Sequence, residues 1–260
     1  MSVAAGERPH LVLLHGWALN SHAWDDLVPK LSKDATVECV DLPGHGTNPW
    51  NGGFDSLGSL AKALAPKISR GSVLLGWSLG AQASLQIALD HPTRARGLIL
   101  VAATPRFLRG GDWEHGVEPE VLEAFARNLQ ADYERTVRDF LALQVRGDER
   151  AQSTLRTLRR KVLEGGPPDL RGLAAGLEVL RQADITDAIG DVRRPALVIA
   201  GDRDRLTPPA ASAALAARLP RSRFHVVRGA AHAPFLSHPD EFLREVRSFL
   251  ARLDGARARA

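Results

Sequence analysis

Six short apolar runs, each with turn signals behind it, leave few folds open to this chain. Leu11–Leu14, Val37–Val40, Val73–Leu75, Leu98–Val101, Leu197–Ala200 and Phe224–Val227 are rich in Val, Leu and Ile. They read as buried parallel strands. Helical patterns stand between them at Ala23–Leu31, Leu57–Ile68, Ala81–Leu89, Ala210–Leu219 and Asp240–Leu253, the last beginning behind Pro239. Alternation of this kind predicts an α/β fold with a doubly wound, mostly parallel sheet.

The alternation stops between residues 105 and 184, where helix periodicity continues without a convincing strand. Val121, Leu122, Phe125, Ala126 and Leu129 make one apolar face, and Val137, Phe140, Leu141 and Val145 another. The expectation is a core domain built from residues 1–104 and 185–260, with residues 105–184 inserted as a helical lid. Gly165-Gly-Pro-Pro interrupts that lid internally.

Composition removes several classes. The single cysteine, Cys39, permits no intrachain disulfide, thiolate zinc cluster or CxxC pair, which suits a reducing cytoplasm. The first ten residues hold no apolar segment of signal-peptide length and later runs are too short to span a bilayer, so a cytoplasmic protein with no membrane association is expected. The formal charge of +4 invites a nucleic-acid reading, but no recognisable module or aromatic-interleaved basic stripe supports one. Part of the excess lies in the tail Arg252–Ala260, expected to be a frayed end. Another part lies between Arg146 and Lys161, on a predicted helix.

Chemistry concentrates at Gly76-Trp77-Ser78-Leu79-Gly80, with a strand before it and a helix behind. That is the context of a nucleophile elbow in the α/β-hydrolase fold, where flanking glycines remove Cβ atoms from a tight bend and a serine hydroxyl is presented at its tip. Ser78 is the expected nucleophile. His15-Gly16-Trp17 follows the first strand, where this fold places its second oxyanion donor, so the backbone N–H groups of Trp17 and Leu79 are assigned to the hole. Asp204, preferred over Asp202, follows the strand Leu197–Ala200, and His232 follows the last strand. The order Ser, Asp, His is the one the fold requires. His232 is the expected base and Asp204 the carboxylate that orients it. His15 and His45 read as structural residues near the site. No metal or organic cofactor is expected, since serine and oxyanion donors supply what a metal-bound water would.

The match extends beyond these residues. Leu11-Val-Leu-Leu-His-Gly-Trp-Ala-Leu-Asn, Val40-Asp-Leu-Pro-Gly-His-Gly, Gly76-Trp-Ser-Leu-Gly, Arg135-Thr-Val-Arg-Asp-Phe-Leu-Ala-Leu-Gln and Ala230-Ala-His-Ala-Pro-Phe-Leu-Ser-His-Pro resemble the carboxylesterase family that cleaves the methyl ester of pimeloyl-acyl carrier protein in biotin synthesis. The resemblance implies a serine esterase acting through an acyl-enzyme. It also implies an acyl pocket formed by Trp17, Ser78, Leu79, Phe140, Leu141, Ala142, Leu143, Gln144 and His232. Acyl carrier protein is the implied partner, met by Arg135, Arg138, Arg156 and Arg159; a monomer is expected. Two residues depart from the family pattern: Ala81 stands where a second glycine is common, and Asp139 where a basic residue would suit a carrier surface. The competing readings are another lidded hydrolase, such as a short-chain carboxylesterase, an enol-lactonase or a carbon–carbon bond hydrolase, and a noncatalytic binding protein on the same fold. Ser78 excludes chemistries that need an aspartate nucleophile.

Overall fold

All six apolar runs lie within strands of one sheet: β1 (His10–Leu14), β2 (Thr36–Val40), β3 (Ser72–Trp77), β4 (Ala95–Val101), β5 (Ala196–Gly201) and β6 (Ser222–Val227). The computed structural model describes residues 8–257. The strands lie in the order β2-β1-β3-β4-β5-β6, and every pairing is parallel. β3 and β5 are buried at every residue, and β1 and β4 nearly so. β2 and β6 correct the expectation of uniform burial. As edge strands they have one open side, and Phe224 on β6 is 37% exposed.

The helices are α1 (Val28–Leu31), α2 (Leu57–Leu64), α3 (Leu79–Asp90), α4 (Pro119–Ala131), α5 (Tyr133–Gln144), α6 (Ala151–Glu164), α7 (Leu170–Gln182), α8 (Pro209–Arg218), α9 (Pro234–Ser237) and α10 (Pro239–Arg257). Two predicted helices come out broken. The span Ala23–Leu31 resolves into a 3₁₀ turn over Ser21–Trp24 and the short α1, with Pro29 in the first turn of α1. A proline there lacks the N–H that a continuous helix would need, and its ring would clash with the carbonyl four residues back. Pro66 acts the same way on Leu57–Ile68, where α2 ends at Leu64 and a 3₁₀ turn follows. α2 begins at a capping box in which the side chains of Ser56 and Ser59 each accept from the other's backbone N–H.

The tail expectation is corrected in part. α10 runs to Arg257, and Asp254 is held by Arg96 at 3.0 Å, so this stretch is a docked helix. The expectations for residues 1–7 and 258–260 lie outside the described residues.

Four helices, α4 to α7, stand between β4 and β5. The two ends of this stretch meet: Arg106 and Asp184 form an isolated antiparallel bridge and an ion pair at 3.1 Å, and Ile185 donates its N–H to Pro105 at 3.2 Å. α6 is tied back to the loop after β1. Asn20 Nδ2 donates to the Lys161 carbonyl at 3.2 Å, and the buried Lys161 ammonium reaches Asp25 at 2.9 Å and Glu164 at 3.2 Å. Lys161, one of the basic residues of the Arg146–Lys161 stretch, is thus an internal fastening.

β2 lies on one side of β1 and β3 on the other. The order reverses at that point, and the loops leaving β1 and β3 open on the crevice where α/β sheets place ligands.

Candidate active site

The loop after β3 is a single strained residue. Ser78 has φ 56° and ψ −117°, a left-side conformation that residues with side chains avoid, and α3 begins at the next residue. Close approach enforces the flanking glycines. A Cβ on Gly76 would lie 2.3 Å from the Gly80 carbonyl oxygen, and one on Gly80 would lie 2.3 Å from that of Leu14. No substitution at either position escapes backbone, so the elbow is pinned between β1 and α3. Ala81 is fully buried against this bend.

The loop after β1 approaches from the other side. A Cβ on Gly16 would sit 3.3 Å from the Ser78 Cβ, which places Trp17 beside the elbow. The Gly16 carbonyl accepts from His15 Nδ1 at 2.8 Å and from the Leu19 N–H at 3.3 Å. Among the described residues the Trp17 and Leu79 amides have no hydrogen-bond acceptor. The Leu79 amide stands at the positive end of α3. The Trp17 side chain is buried, donating its indole N–H to the Leu173 carbonyl on α7 at 2.8 Å.

His15 and His45 have structural surroundings. His15 is fully buried, with Nδ1 on the Gly16 carbonyl and Nε2 accepting from the Leu42 N–H at 3.0 Å, a pattern that requires the neutral ring. Burial lowers its pKa. Burial also pushes His45 down to about 3, its ring centroid 5.4 Å from that of His15. Asp41 accepts from Ser21 N–H at 2.6 Å and Thr47 N–H at 2.9 Å, which fixes the loops after β1 and β2 to each other. Cys39 is not a competing nucleophile: burial and the carboxylates around it raise its thiol to about 12.

His232 is held from three sides. Its Nδ1 bonds Asp204 Oδ2 at 2.7 Å, its carbonyl accepts from the Trp77 indole at 2.8 Å, and its N–H donates to the Gln144 carbonyl at 3.0 Å. Nε2 is buried and makes no hydrogen bond among the described residues. Asp204, also buried, spends its other oxygen on the N–H groups of Leu206 (2.8 Å) and Thr207 (2.9 Å), so its carboxylate cannot rotate freely. Asp202 is exposed and turned to the Gly229 N–H at 2.8 Å.

On α5 the named residues divide by face. Phe140 packs edge-on against Trp17 with ring centroids 4.7 Å apart, and Gln144, one turn on, is buried against the His232 loop with Oε1 unpartnered among the described residues. Leu141 is buried, Leu143 is half-buried, and Ala142, two residues from Phe140 and so off that stripe, is exposed. Leu141 lines a cavity of about 340 Å³ between α5 and α6, walled by Val137, Val162 and Leu163, with Arg138 and Arg159 also lining it. None of Ser78, Asp204 or His232 lines that cavity. Arg135 pairs with Asp139 and Arg138 with Glu134, both at 3.8 Å, while Arg156 is exposed.

The turn between α5 and α6 was not singled out from sequence. Asp148 Oδ2 accepts the Ala231 N–H at 2.9 Å, its Oδ1 accepts the Arg150 N–H at 2.7 Å, and the Glu149 N–H donates to the Gly229 carbonyl at 2.9 Å. With Gln144, this turn grips the chain on both sides of the imidazole. The one local signal is Gly147-Asp148, a helix stop followed by a residue that favours such turns; its partner is more than eighty residues away.

The chain belongs to the α/β-hydrolase fold family, whose model matches residues 9–239. Within it, the chain groups with proteins named pimeloyl-[acyl-carrier protein] methyl ester esterase. One from Stenotrophomonas maltophilia is 43% identical over 96% of each chain, and one from Nitrosomonas europaea is 40% identical over 92% of this chain and 94% of its own. In shape, the chain is similar to an esterase from Exiguobacterium antarcticum, with a TM-score of 0.84 at 19% identity over 95% and 93% of the two chains. An enol-lactonase from Burkholderia xenovorans superposes with a TM-score of 0.80 at 24% identity over 96% and 94%. At these identities the likeness concerns the fold alone.

Proposed function

We propose that this chain is a serine carboxylesterase that hydrolyses the methyl ester of pimeloyl-acyl carrier protein, with Ser78, His232 and Asp204 as its triad. The observation that carries the chemistry is the buried Asp204–His232 bond of 2.7 Å, which leaves Nε2 free in a loop fixed on three sides beside a strained serine. The relatives' name supplies the substrate.

In the reaction, His232 Nε2 takes the Ser78 proton as Oγ attacks the ester carbonyl carbon. Negative charge gathers on the carbonyl oxygen, where the Trp17 and Leu79 amides receive it. Asp204 stabilises the imidazolium and keeps its tautomer. When the tetrahedral adduct collapses, the C–O bond to methoxide breaks, and His232 returns the proton so that methanol leaves. Water then attacks the acyl-enzyme, His232 takes its proton, and the acid and free Ser78 are restored. Residues 105–184 act as a lid over this site, with Phe140 and Gln144 on the acyl side. Arg138 and Arg159 meet the acidic carrier, joined by Arg135 and Arg156; Leu163, 79% exposed, adds an apolar contact. Among the described residues no helix is long and apolar enough to cross a membrane.

Steady-state hydrolysis of pimeloyl methyl ester, carried on acyl carrier protein and as a small free ester, tests this reading. The expected result is a strong preference for the carried ester and a loss of turnover of at least roughly 10³-fold in Ser78→Ala. Cleavage of small esters alone would leave the triad standing and remove the carrier-bound substrate.

A further inference from the structure

The end of the sheet opposite the catalytic loops carries an unexplained row of positive charge. Each of the five adjacent strands β1, β3, β4, β5 and β6 is led in by an arginine: Arg8, Arg70, Arg96, Arg194 and Arg221 stand within two residues of the strand starts or on them. All five line one cavity of about 500 Å³, together with His10, and among the described residues no carboxylate lines it. Neighbouring strands lie about 4.8 Å apart, so the row extends over roughly 20 Å.

Two of the side chains are anchored in place. Arg8 Nη1 donates to the Ser32 carbonyl at 3.2 Å and Arg194 Nη2 to the Pro92 carbonyl at 2.8 Å. Arg96 pairs with Asp254 at 3.0 Å, yet its Nε is buried without a hydrogen-bond partner. Among the described residues, Arg8, Arg70, Arg194 and Arg221 form no ion pair. Like charges gathered at this density repel one another, and a bound anion removes that cost.

We propose that this row is a binding site for a short linear chain of phosphoryl groups, an inorganic oligophosphate. Planar guanidinium groups match phosphoryl oxygens two at a time, and a line of them fits a chain of charges better than a single ion. Besides the arginines and His10, the lining consists of Pro9, Gly71, Pro195 and Leu253. Among the described residues no Phe, Tyr or Trp lines the cavity, and its one aromatic ring, His10, is half-buried and held by Ser72 at 3.0 Å and Glu38 at 3.6 Å, which favours a bare phosphate chain over a nucleotide or a single-stranded nucleic acid. The site is separate from the lid arginines and lies at the wrong end of the sheet to touch the ester.

Calorimetric titration of the full chain with inorganic tripolyphosphate tests the proposal, with sulfate and ATP as comparison ligands. Expected are one-to-one binding that weakens as salt is raised, sulfate at least tenfold weaker, and ATP weaker than tripolyphosphate. Arg70→Gln combined with Arg221→Gln removes two exposed side chains and is expected to lower affinity at least tenfold while ester hydrolysis stays unchanged. Arg138→Gln combined with Arg159→Gln, on the lid, is expected to leave tripolyphosphate binding as it was. Equal binding of sulfate, tighter binding of ATP, an unaffected Arg70/Arg221 variant or loss of binding in the lid variant would each overturn it.

Discussion

The charges on the catalytic end of the sheet and those on the outer faces of α5 and α6 are held in opposite ways. Asp204 and His232 are almost wholly buried at 2.7 Å, and each is fixed by further bonds to backbone. Arg135–Asp139 and Arg138–Glu134 are exposed pairs at 3.8 Å, one helical turn apart on the same surface. A buried pair with its remaining positions satisfied has one geometry, and losing a partner is costly. An exposed pair contributes little to stability and re-forms with whatever partner arrives. The contrast separates a group whose placement the chemistry depends on from a surface free to be spent on recognition.

The largest effect expected from breaking this contrast is at Asp204. Asp204→Asn keeps the shape but favours the wrong imidazole tautomer, and kcat is expected to fall roughly 10³- to 10⁴-fold with KM little changed, measured on the small ester. Asp148→Ala comes next. It removes the acceptor that holds the Ala231 amide, and the loosened imidazole is expected to lower kcat on the order of 10- to 100-fold. A rise in KM alone would mean that the turn shapes the pocket and does not position the base.

A pH experiment sharpens the same distinction. Unfolded imidazoles titrate near 6.5, while His45 is held at about 3 when folded. As pH falls below 6.5, the unfolded chain therefore takes up a proton that the folded chain refuses, and stability drops until the folded value is reached. His45 alone is expected to cost about 2 kcal/mol between pH 6.5 and 5, with His15 acting in the same direction. Urea unfolding of the wild type and His45→Gln at the two pH values would show it; parallel slopes would remove His45 as the cause. The smallest stability effect is expected on the lid surface, where Arg138→Glu with Arg159→Glu should change unfolding free energy by no more than about 0.5 kcal/mol. The same variant should raise KM for the carried ester and leave the small ester alone.

Strands and elbow were legible because their causes are local: an apolar run buried on both faces, and glycines where any Cβ would strike backbone. The placement of Ser78, Asp204 and His232 in loops after strands could be read because the fold puts such loops at one end of a parallel sheet. Helix interruptions at Pro29 and Pro66 were equally local and were missed because apolar periodicity ran through them. Strand order was not legible, so the half-exposed edges β2 and β6 were not anticipated. Nor could the grip of Asp148 on Ala231, or Lys161 as an internal cation, be seen: both depend on which helix lands on which loop. In sequence, Lys161 was one more member of a basic stretch.

Lys161 also has a consequence for chemical labelling. Amine acylation requires a deprotonated, reachable nitrogen. Although burial works against its charge, the bonds from Asp25 and Glu164 raise the pKa of this ammonium above the ordinary lysine value, and its side chain is only 6% exposed. A reagent that modifies lysines is therefore expected to reach Lys161 after Lys30, Lys33, Lys62 and Lys67, which are all exposed. The order in which the lysines are acylated, read by mass spectrometry on the unaltered protein, thus reports how firmly α6 is fastened to the loop carrying Asn20 and Asp25.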